Sequence, residues 1–256
     1  MAAAVLLPTS ADEAATLYGD GEGITVLAGG TILLPEIAAG RVQPERALVL
    51  SHAGLDAVRA DDGVLRIGAM TPISALVDGP EPLLARYAAR VADIEVRRNA
   101  TVGGNICAPP GRELQRGDLG AALIALGARV RSTGRGGERT EPVEDFLAGD
   151  RSGRLVLELE VDRRERRVGA EGMRRRHAHS YAIANVAVCE ADGELRVGVA
   201  GVGPTAVRAR SVEQSRNPDD VLNDVTPVDD AVASAAYRRR ILPLLVRRAL
   251  DRLEHA

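Results

Sequence analysis

The stretch Ile24-Thr25-Val26-Leu27-Ala28-Gly29-Gly30-Thr31 joins a short apolar run to a glycine doublet. The apolar run has the pattern of a buried β-strand, and the doublet directly after it predicts a tight turn. Glycine has no side chain, so its backbone can adopt positive φ and its N–H group can approach an anion closely. Such a turn can therefore bind a phosphate group. The next residues, 33–37, predict a helix whose N-terminus would also favour an anion.

A second glycine doublet lies in the stretch Thr101-Val102-Gly103-Gly104-Asn105. Either doublet alone is also typical of an ordinary turn, so neither is specific by itself. Together they predict two donor loops that grip the diphosphate of one dinucleotide. The hydroxyl groups of Thr31 and Thr101 can add further donors.

The composition is that of a chain able to bury a cofactor, with 256 residues and 45% hydrophobic content. The net charge of −3 offers no electrostatic footprint for nucleic acid, so we expect a small-molecule or protein partner. All 33 basic residues are arginine, which weakens any argument from arginine clusters. The N-terminal sequence has the pattern of neither a signal peptide nor a membrane span, and we expect a cytoplasmic protein.

The two cysteines, Cys107 and Cys189, lack CxxC spacing. We therefore expect this chain not to ligate an iron–sulfur cluster itself. Both side chains are expected to be small buried hydrophobic groups.

Hydrophobic periodicity predicts further elements along the chain. Strands are expected near 47–50, 64–69, 128–133, 155–161 and 195–199, and helices near 10–18, 82–92, 118–126 and 232–253, the last interrupted at Pro243. Residues 211–230 are polar and are interpreted as a surface linker. The Tyr87 side chain lies on the apolar face of its predicted helix and is expected in the core.

Several of these motifs follow one another in an order that resembles a known family. They are Ala28-Gly29-Gly30-Thr31, Ile67-Gly68-Ala69, Thr101-Val102-Gly103-Gly104-Asn105-Ile106, Gly117-Asp118-Leu119, Gly201-Val202-Gly203-Pro204 and Ser234-Ala235-Ala236-Tyr237. The chain resembles, over nearly its whole length, the flavin-binding subunits of the molybdenum hydroxylases, including those of carbon monoxide dehydrogenase and xanthine dehydrogenase.

The resemblance implies an α+β fold of the vanillyl-alcohol-oxidase/PCMH type, in which two subdomains clamp a non-covalently bound FAD. It places the FAD-binding domain at residues 1–165, with subdomains of about 1–55 and 56–165. A smaller C-terminal α+β domain, with a short antiparallel sheet and helices, would follow at residues 166–256.

The same resemblance implies a set of FAD-binding residues. Asp118 would accept a hydrogen bond from a cofactor hydroxyl; the alternative role is a helix N-cap, and one carboxylate could serve both. Tyr181 would pack on the isoalloxazine ring, although it could equally be a core residue, and Leu157 would contact the flavin edge. The full set is Val26, Leu27, Ala28, Gly29, Gly30, Thr31, Ile32, Leu33, Thr101, Gly103, Gly104, Asn105, Asp118, Leu157 and Tyr181. No residue is assigned as a catalytic acid or base, and no metal ligand is assigned.

The sequence departs from the family pattern in a few places. Ile32 stands where a small polar or acidic side chain is usual, and Ser180 stands where aspartate is frequent. A lysine often found shortly before that position is absent, and Arg174 or Arg175 would be the cation instead. These changes leave FAD binding expected but put the reactivity of the ring edge in doubt.

The function implied is electron transfer within a complex. A molybdenum-cofactor large subunit would oxidise the substrate, a [2Fe-2S] small subunit would carry single electrons, and the FAD would pass them to NAD, oxygen or a quinone. One alternative is a stand-alone flavoenzyme acting directly on a small molecule, with His177, His179 or Tyr181 moving a proton. A second is a scaffold that has lost FAD, which the two intact glycine doublets argue against.

Overall fold

The computed structural model of the protein describes residues 4–108, 118–175 and 181–255. Three separate β-sheets organise these residues. Helices fill the spaces between the sheets, which gives the α+β class expected from the sequence.

The first sheet is parallel and lies near the N-terminus. Its strands are β1 (Ala4–Leu6), β2 (Ile24–Leu27) and β3 (Arg46–Val49), in the order β1-β3-β2. The connecting helices are α1 (Ala11–Tyr18) and α2 (Leu33–Ala38). Helix α1 begins where the sequence predicts, because the Ser10 hydroxyl accepts a hydrogen bond from the Glu13 N–H.

The second sheet has five strands, all paired antiparallel in the order β4-β5-β8-β6-β7. They are β4 (Val58–Asp61), β5 (Val64–Gly68), β6 (Arg129–Gly134), β7 (Arg139–Pro142) and β8 (Arg154–Asp162). The helices of this region are α3 (Ile73–Val77), α4 (Pro82–Ala88), α5 (Ile94–Asn99), α6 (Val102–Cys107), α7 (Gly120–Ala125) and α8 (Val143–Ala148). Leu155 and Leu157 of β8 pack with Tyr18 and Leu48, so the first and second sheets share a core.

The third sheet is antiparallel in the order β12-β11-β10-β9. Its strands are β9 (Arg167–Arg174), β10 (Ala182–Ala191), β11 (Glu194–Ala200) and β12 (Val207–Arg208). The helices that follow are α9 (Arg210–Ser215), α10 (Val221–Asp224) and α11 (Ala235–Glu254), with a 3₁₀ turn at Pro218–Asp220. Helix α11 packs on β9 and β10, while α7 packs on β10 and β11.

Helix α7 is buried on every side. Its alanines, leucine and isoleucine pack with residues from both the second and the third sheet. This explains why the sequence of this helix is apolar throughout instead of amphipathic.

The polar segment 211–230 is not the surface linker that we expect from the sequence. It contains α9, the 3₁₀ turn and α10, and Val212 and Val221 are fully buried in the core under α11. The helical pieces are only three to six residues long, too short to show a hydrophobic period in such a polar stretch, so the pattern misses them.

Helix α11 also differs from expectation, because it runs through Pro243 without interruption. A proline removes a helical hydrogen bond to the carbonyl four residues earlier, here Arg239. Arg239 lies on the exposed side of the helix, where water can satisfy that carbonyl. Burial of the opposite face, including Leu242 and Leu245, outweighs the proline.

The burial predicted for Tyr87 is confirmed, whereas the burial predicted for the two cysteines is confirmed for only one of them. Tyr87 is buried, as predicted, and its hydroxyl donates to the Val186 carbonyl oxygen at 2.7 Å. Cys189 is buried, but Cys107 is exposed, which corrects the expectation for that residue. Among the described helices, none is long and apolar enough to cross a membrane.

Candidate functional site

The first glycine loop follows the carboxyl end of β2 and leads into α2. The N–H groups of residues 29–33 donate no hydrogen bond to any described residue. Backbone donors left unpaired beside a cleft need a partner, and an anionic group of a ligand supplies one. This loop therefore has the donor set that a diphosphate requires.

Glycine is required at both positions of this doublet, for different reasons. A Cβ on Gly29 would lie 1.8 Å from the carbonyl oxygen of Asn99, so only glycine lets the loop approach the C-terminal end of α5. Gly30 has φ +73°, a conformation that other residues rarely adopt. The loop is thus packed tightly against its neighbour, although its N–H groups donate to no described residue.

The second doublet has a different local structure from the one predicted. Thr101 is the N-cap of α6, and both glycines lie inside this helix. The Gly103 N–H donates to the Ala69 carbonyl at 2.8 Å, and the Gly104 N–H donates to the Thr101 hydroxyl at 3.1 Å. A Cβ on Gly103 would lie 2.9 Å from atoms of Ala69. Here the glycines serve close packing, and their N–H groups are not free for a ligand.

A cleft in two connected lobes runs past these loops. We call the first the Tyr181 lobe, which has a volume of about 390 Å³. We call the second the Arg151 lobe, which has a volume of about 540 Å³. The lobes meet at four residues that line both: Val26, Ala28, Gly104 and Cys107. Residues 29–33 line the Tyr181 lobe beside this junction, and a cleft of two lobes has room for an extended ligand such as a dinucleotide.

Most of the residues expected at the site line the Tyr181 lobe. They are Val26, Ala28, Gly29, Gly30, Thr31, Ile32, Leu33, Thr101, Gly104, Asn105, Asp118 and Tyr181. Gly103 lines the Arg151 lobe instead. Leu27 and Leu157 line neither lobe. Leu157 packs in the core shared by the first two sheets, and its carbonyl accepts from the Ala69 N–H at 2.9 Å.

The Arg151 lobe holds the residues that the sequence pattern misses. Met70, Cys107, Asp150, Arg151 and Ser152 line it, beside the first residues of β8. No motif marks these residues, because they come from separate segments that only the tertiary fold brings together. Cys107 lines the cleft and is exposed to it, and desolvation by the surrounding walls of the cleft raises the pKa of its thiol to about 11.

Asn105 and Asp118 connect α6 to the start of α7. The Asn105 side-chain oxygen accepts a hydrogen bond from the Leu119 N–H at 3.1 Å. Burial raises the pKa of Asp118 to about 6, and this effect exceeds the lowering caused by the nearby Arg174 guanidinium. Arg174 is held in place because its guanidinium donates to the Arg90 carbonyl at 2.8 Å. Ser180, His177 and His179 lie outside the described residues.

The raised pKa of Asp118 predicts a pH-dependent stability for the protein without cofactor. The native state binds this proton more tightly than the unfolded chain, whose aspartate pKa is about 3.9. The contribution of Asp118 to stability should therefore be greatest below about pH 4 and should fall as the pH rises through 6. We expect Asp118→Asn to unfold at a higher temperature than wild type at pH 8, with the difference vanishing at pH 4. Equal melting temperatures at pH 8 would contradict the assignment of this pKa.

The fold and the cleft together define a dinucleotide-binding protein with one donor loop and two lobes. Residues 1–161 match the family described as "FAD binding domain in molybdopterin dehydrogenase". The chain belongs to this family, its cofactor is FAD, and it is an oxidoreductase subunit of the molybdenum hydroxylase type.

Characterised relatives align with nearly the whole chain. The carbon monoxide dehydrogenase medium chain of Hydrogenophaga pseudoflava is 29% identical over 95% of this chain and 94% of its own length. The 6-hydroxypseudooxynicotine dehydrogenase complex subunit alpha of Paenarthrobacter nicotinovorans is 26% identical over 96% of this chain and 92% of its own. The solved Hydrogenophaga carbon monoxide dehydrogenase superposes with a TM-score of 0.85 and 26% identity, covering 100% of this chain and 98% of the other. This confirms the expected two-subdomain FAD-binding fold.

Proposed function

We propose that the chain is the electron-transfer subunit of a molybdenum-containing hydroxylase. In this proposal a [2Fe-2S] small subunit delivers electrons, a molybdenum-cofactor large subunit oxidises the substrate, and an external acceptor takes the electrons from this chain. The complex would be a heterotrimer. A cytoplasmic location remains part of the proposal.

The observation that carries this proposal is the full-length correspondence with medium chains. The chain and the superposed carbon monoxide dehydrogenase chain cover each other almost completely. Several of the relatives are named as a medium chain or as a subunit of a dehydrogenase complex. A chain of this size and shape therefore corresponds to one component of such a complex.

When bound, FAD supplies the capacity to exchange electrons one or two at a time. The protein's contribution is to bind and orient it. The N–H groups of residues 29–33 would donate to the diphosphate, and the Thr101 hydroxyl, which accepts from Gly104, keeps its own proton to donate. Asp118 would accept a hydrogen bond from a ribityl or ribose hydroxyl, and Tyr181 would pack on the ring in its lobe.

Asp118 has a second predicted effect, on affinity. A carboxylate that accepts a cofactor hydroxyl contributes a charge-assisted hydrogen bond. Asp118→Asn should therefore weaken FAD binding at pH 8 by about tenfold while stabilising the protein without cofactor. A lower affinity for FAD together with a higher stability of the cofactor-free protein would indicate a ligand-binding role for Asp118. Loss of a helix cap would instead lower both the affinity and the stability.

Protection of Cys107 tests the position of the cofactor. Cys107 lies where the two lobes meet, so a bound dinucleotide would cover it. We expect saturating FAD to slow alkylation of Cys107 by iodoacetamide by at least tenfold at pH 9, where some thiolate is present. Peptide mass spectrometry would report the rate, with the buried Cys189 as the internal reference. An unchanged rate at saturating FAD would exclude this placement.

The proposed function itself is tested by purifying the tagged chain from its native host. Co-purification of molybdenum and [2Fe-2S] subunits, with flavin absorbance that bleaches when the complex turns over, would support it. Flavin without partners would favour the stand-alone flavoenzyme. A colourless chain that does not take up added FAD would contradict both.

A further inference from the structure

The Arg151 lobe carries three charged side chains, and they differ in what they are free to bind. They are Asp150, Arg151 and Arg154. A dinucleotide diphosphate carries two negative charges, whereas residues 29–33 offer it only neutral N–H donors. Among the described residues that line the two lobes, arginine occurs only in the Arg151 lobe, so a compensating cation would come from there.

Arg154 is not available for this role, because its donors are already used. Its guanidinium donates to the Ser132 hydroxyl and carbonyl, and to the carbonyls of Arg135 and Gly137, at 2.8–3.2 Å. It is 7% exposed and joins β8 to the β6–β7 turn. Asp150 is likewise occupied, since its oxygens accept from the Ser152 N–H and hydroxyl at 2.9 Å.

One nitrogen of the Arg151 guanidinium is hydrogen-bonded to the protein, and its other two nitrogens are not bonded to any described residue. Its Nη1 donates to the Ile106 carbonyl oxygen at 2.9 Å, which fixes the guanidinium beside Cys107, where the two lobes meet. Its Nε and Nη2 donate to no described residue, and no described carboxylate pairs with it. A half-buried guanidinium fixed by one nitrogen presents its remaining donors in a rigid fork, which matches a phosphate.

We propose that Arg151 binds the diphosphate of FAD from the side opposite residues 29–33, and that the Arg151 lobe takes the AMP half. The flavin half then occupies the Tyr181 lobe, where Val91, Val96 and Ala100 provide an apolar wall. This inference rests on the proposed function only in its choice of FAD as the ligand. It assigns Arg151 as a cofactor-binding residue and gives each lobe one half of the cofactor.

The test measures binding to the cofactor-free chain by isothermal titration calorimetry. Arg151→Gln should weaken FAD and ADP by about ten- to a hundredfold, the loss expected for a charge-assisted hydrogen-bonded contact. Arg151→Lys, which keeps the charge but not the fork, should recover part of the affinity. Binding of FMN, which lacks the AMP half and the second phosphate, should change far less than binding of FAD.

The matched control is Arg210→Gln, since Arg210 is exposed on α9, away from the cleft. It should bind both FAD and ADP as wild type does. Wild-type affinity of Arg151→Gln for ADP would overturn the inference, as would an equal loss for FMN and FAD. A wild-type chain that binds no FAD would instead contradict the proposed function, so the two failures are distinguishable. The melting temperature of Arg151→Gln without ligand, expected within a few degrees of wild type, excludes misfolding as the cause.

Discussion

Gly29→Ala should abolish FAD binding and destabilise the protein. The added methyl group would lie 1.8 Å from the Asn99 carbonyl oxygen, which is backbone and cannot rotate away. The loop must therefore move away from the C-terminal end of α5, and the N–H groups of residues 29–33 move with it. We expect a loss of about 3 kcal/mol in the free energy of unfolding, the cost of overpacking a tight site. The affinity for FAD should fall more than a hundredfold.

Urea unfolding and FAD titration measure these two effects, and Gly40→Ala is the matched control. Gly40 has φ +69°, but a Cβ there would meet no atom within 4 Å. This variant should lose about 1 kcal/mol through backbone strain alone and should bind FAD normally. If Gly29→Ala bound FAD as tightly as wild type, the first glycine loop would not be the diphosphate site.

Arg238→Met should cause the largest loss of stability outside the cleft. Arg238 is 0% exposed and pairs with Asp230 at 2.7 Å. Its other nitrogens donate to the carbonyls of Ile183, Val228 and Ala233. Removing the guanidinium leaves a buried carboxylate and three carbonyls without their partner, which costs about 3–5 kcal/mol. Circular dichroism during urea unfolding would measure the loss.

The exposed pair Arg98 and Glu95 provides the comparison for this variant, since their side chains are 60% and 72% exposed. Arg98→Met should change stability by less than about 0.5 kcal/mol. Equal changes in the free energy of unfolding for Arg238→Met and Arg98→Met would show that the buried pair does not stabilise α11 more than an exposed pair does.

The Asp230 carboxylate adds a pH signature to the same pair. Burial raises its pKa, but hydrogen bonds from Arg238 and from the N–H groups of Ala233 and Val232 outweigh burial and hold the pKa below its usual value. The stabilisation is therefore present above the unfolded pKa of about 3.9 and is lost as the pH falls below it. Asp230→Asn should have a lower free energy of unfolding than wild type at pH 7. The difference between the two free energies should decrease as the pH falls below about 4.

The sequence predicted the elements that rest on local chemistry. The apolar run before Gly29 forms β2, and the helix expected near residues 10–18 forms α1, so both are found where the pattern placed them. The strands β9 and β10 were not predicted, because two glycines interrupt β9 and both faces of β10 are buried, so neither shows hydrophobic alternation. Their formation depends on the sheet and on α11 packing over it.

The candidate site likewise contains features that the sequence could predict and features that it could not. The first donor loop could be predicted because glycine after a buried strand has a direct physical meaning. The second doublet resembled it in sequence, yet its N–H groups are used by Ala69 and Thr101 within the fold. Arg151 and Cys107 could not be found from spacing, since the cleft they line is formed by segments distant in the chain.

Helix α7 has a consequence for how the chain can be divided. The family match ends at residue 161, but α7 packs both with the sheet before that point and with Ala170, Ala187, Cys189 and Ala200 after it. A fragment ending near residue 165 would leave one whole side of an entirely apolar helix in water, so it should aggregate. The FAD-binding region and the C-terminal region would then unfold and refold together, as a single cooperative unit, even though no described residue after 181 lines either lobe of the cleft.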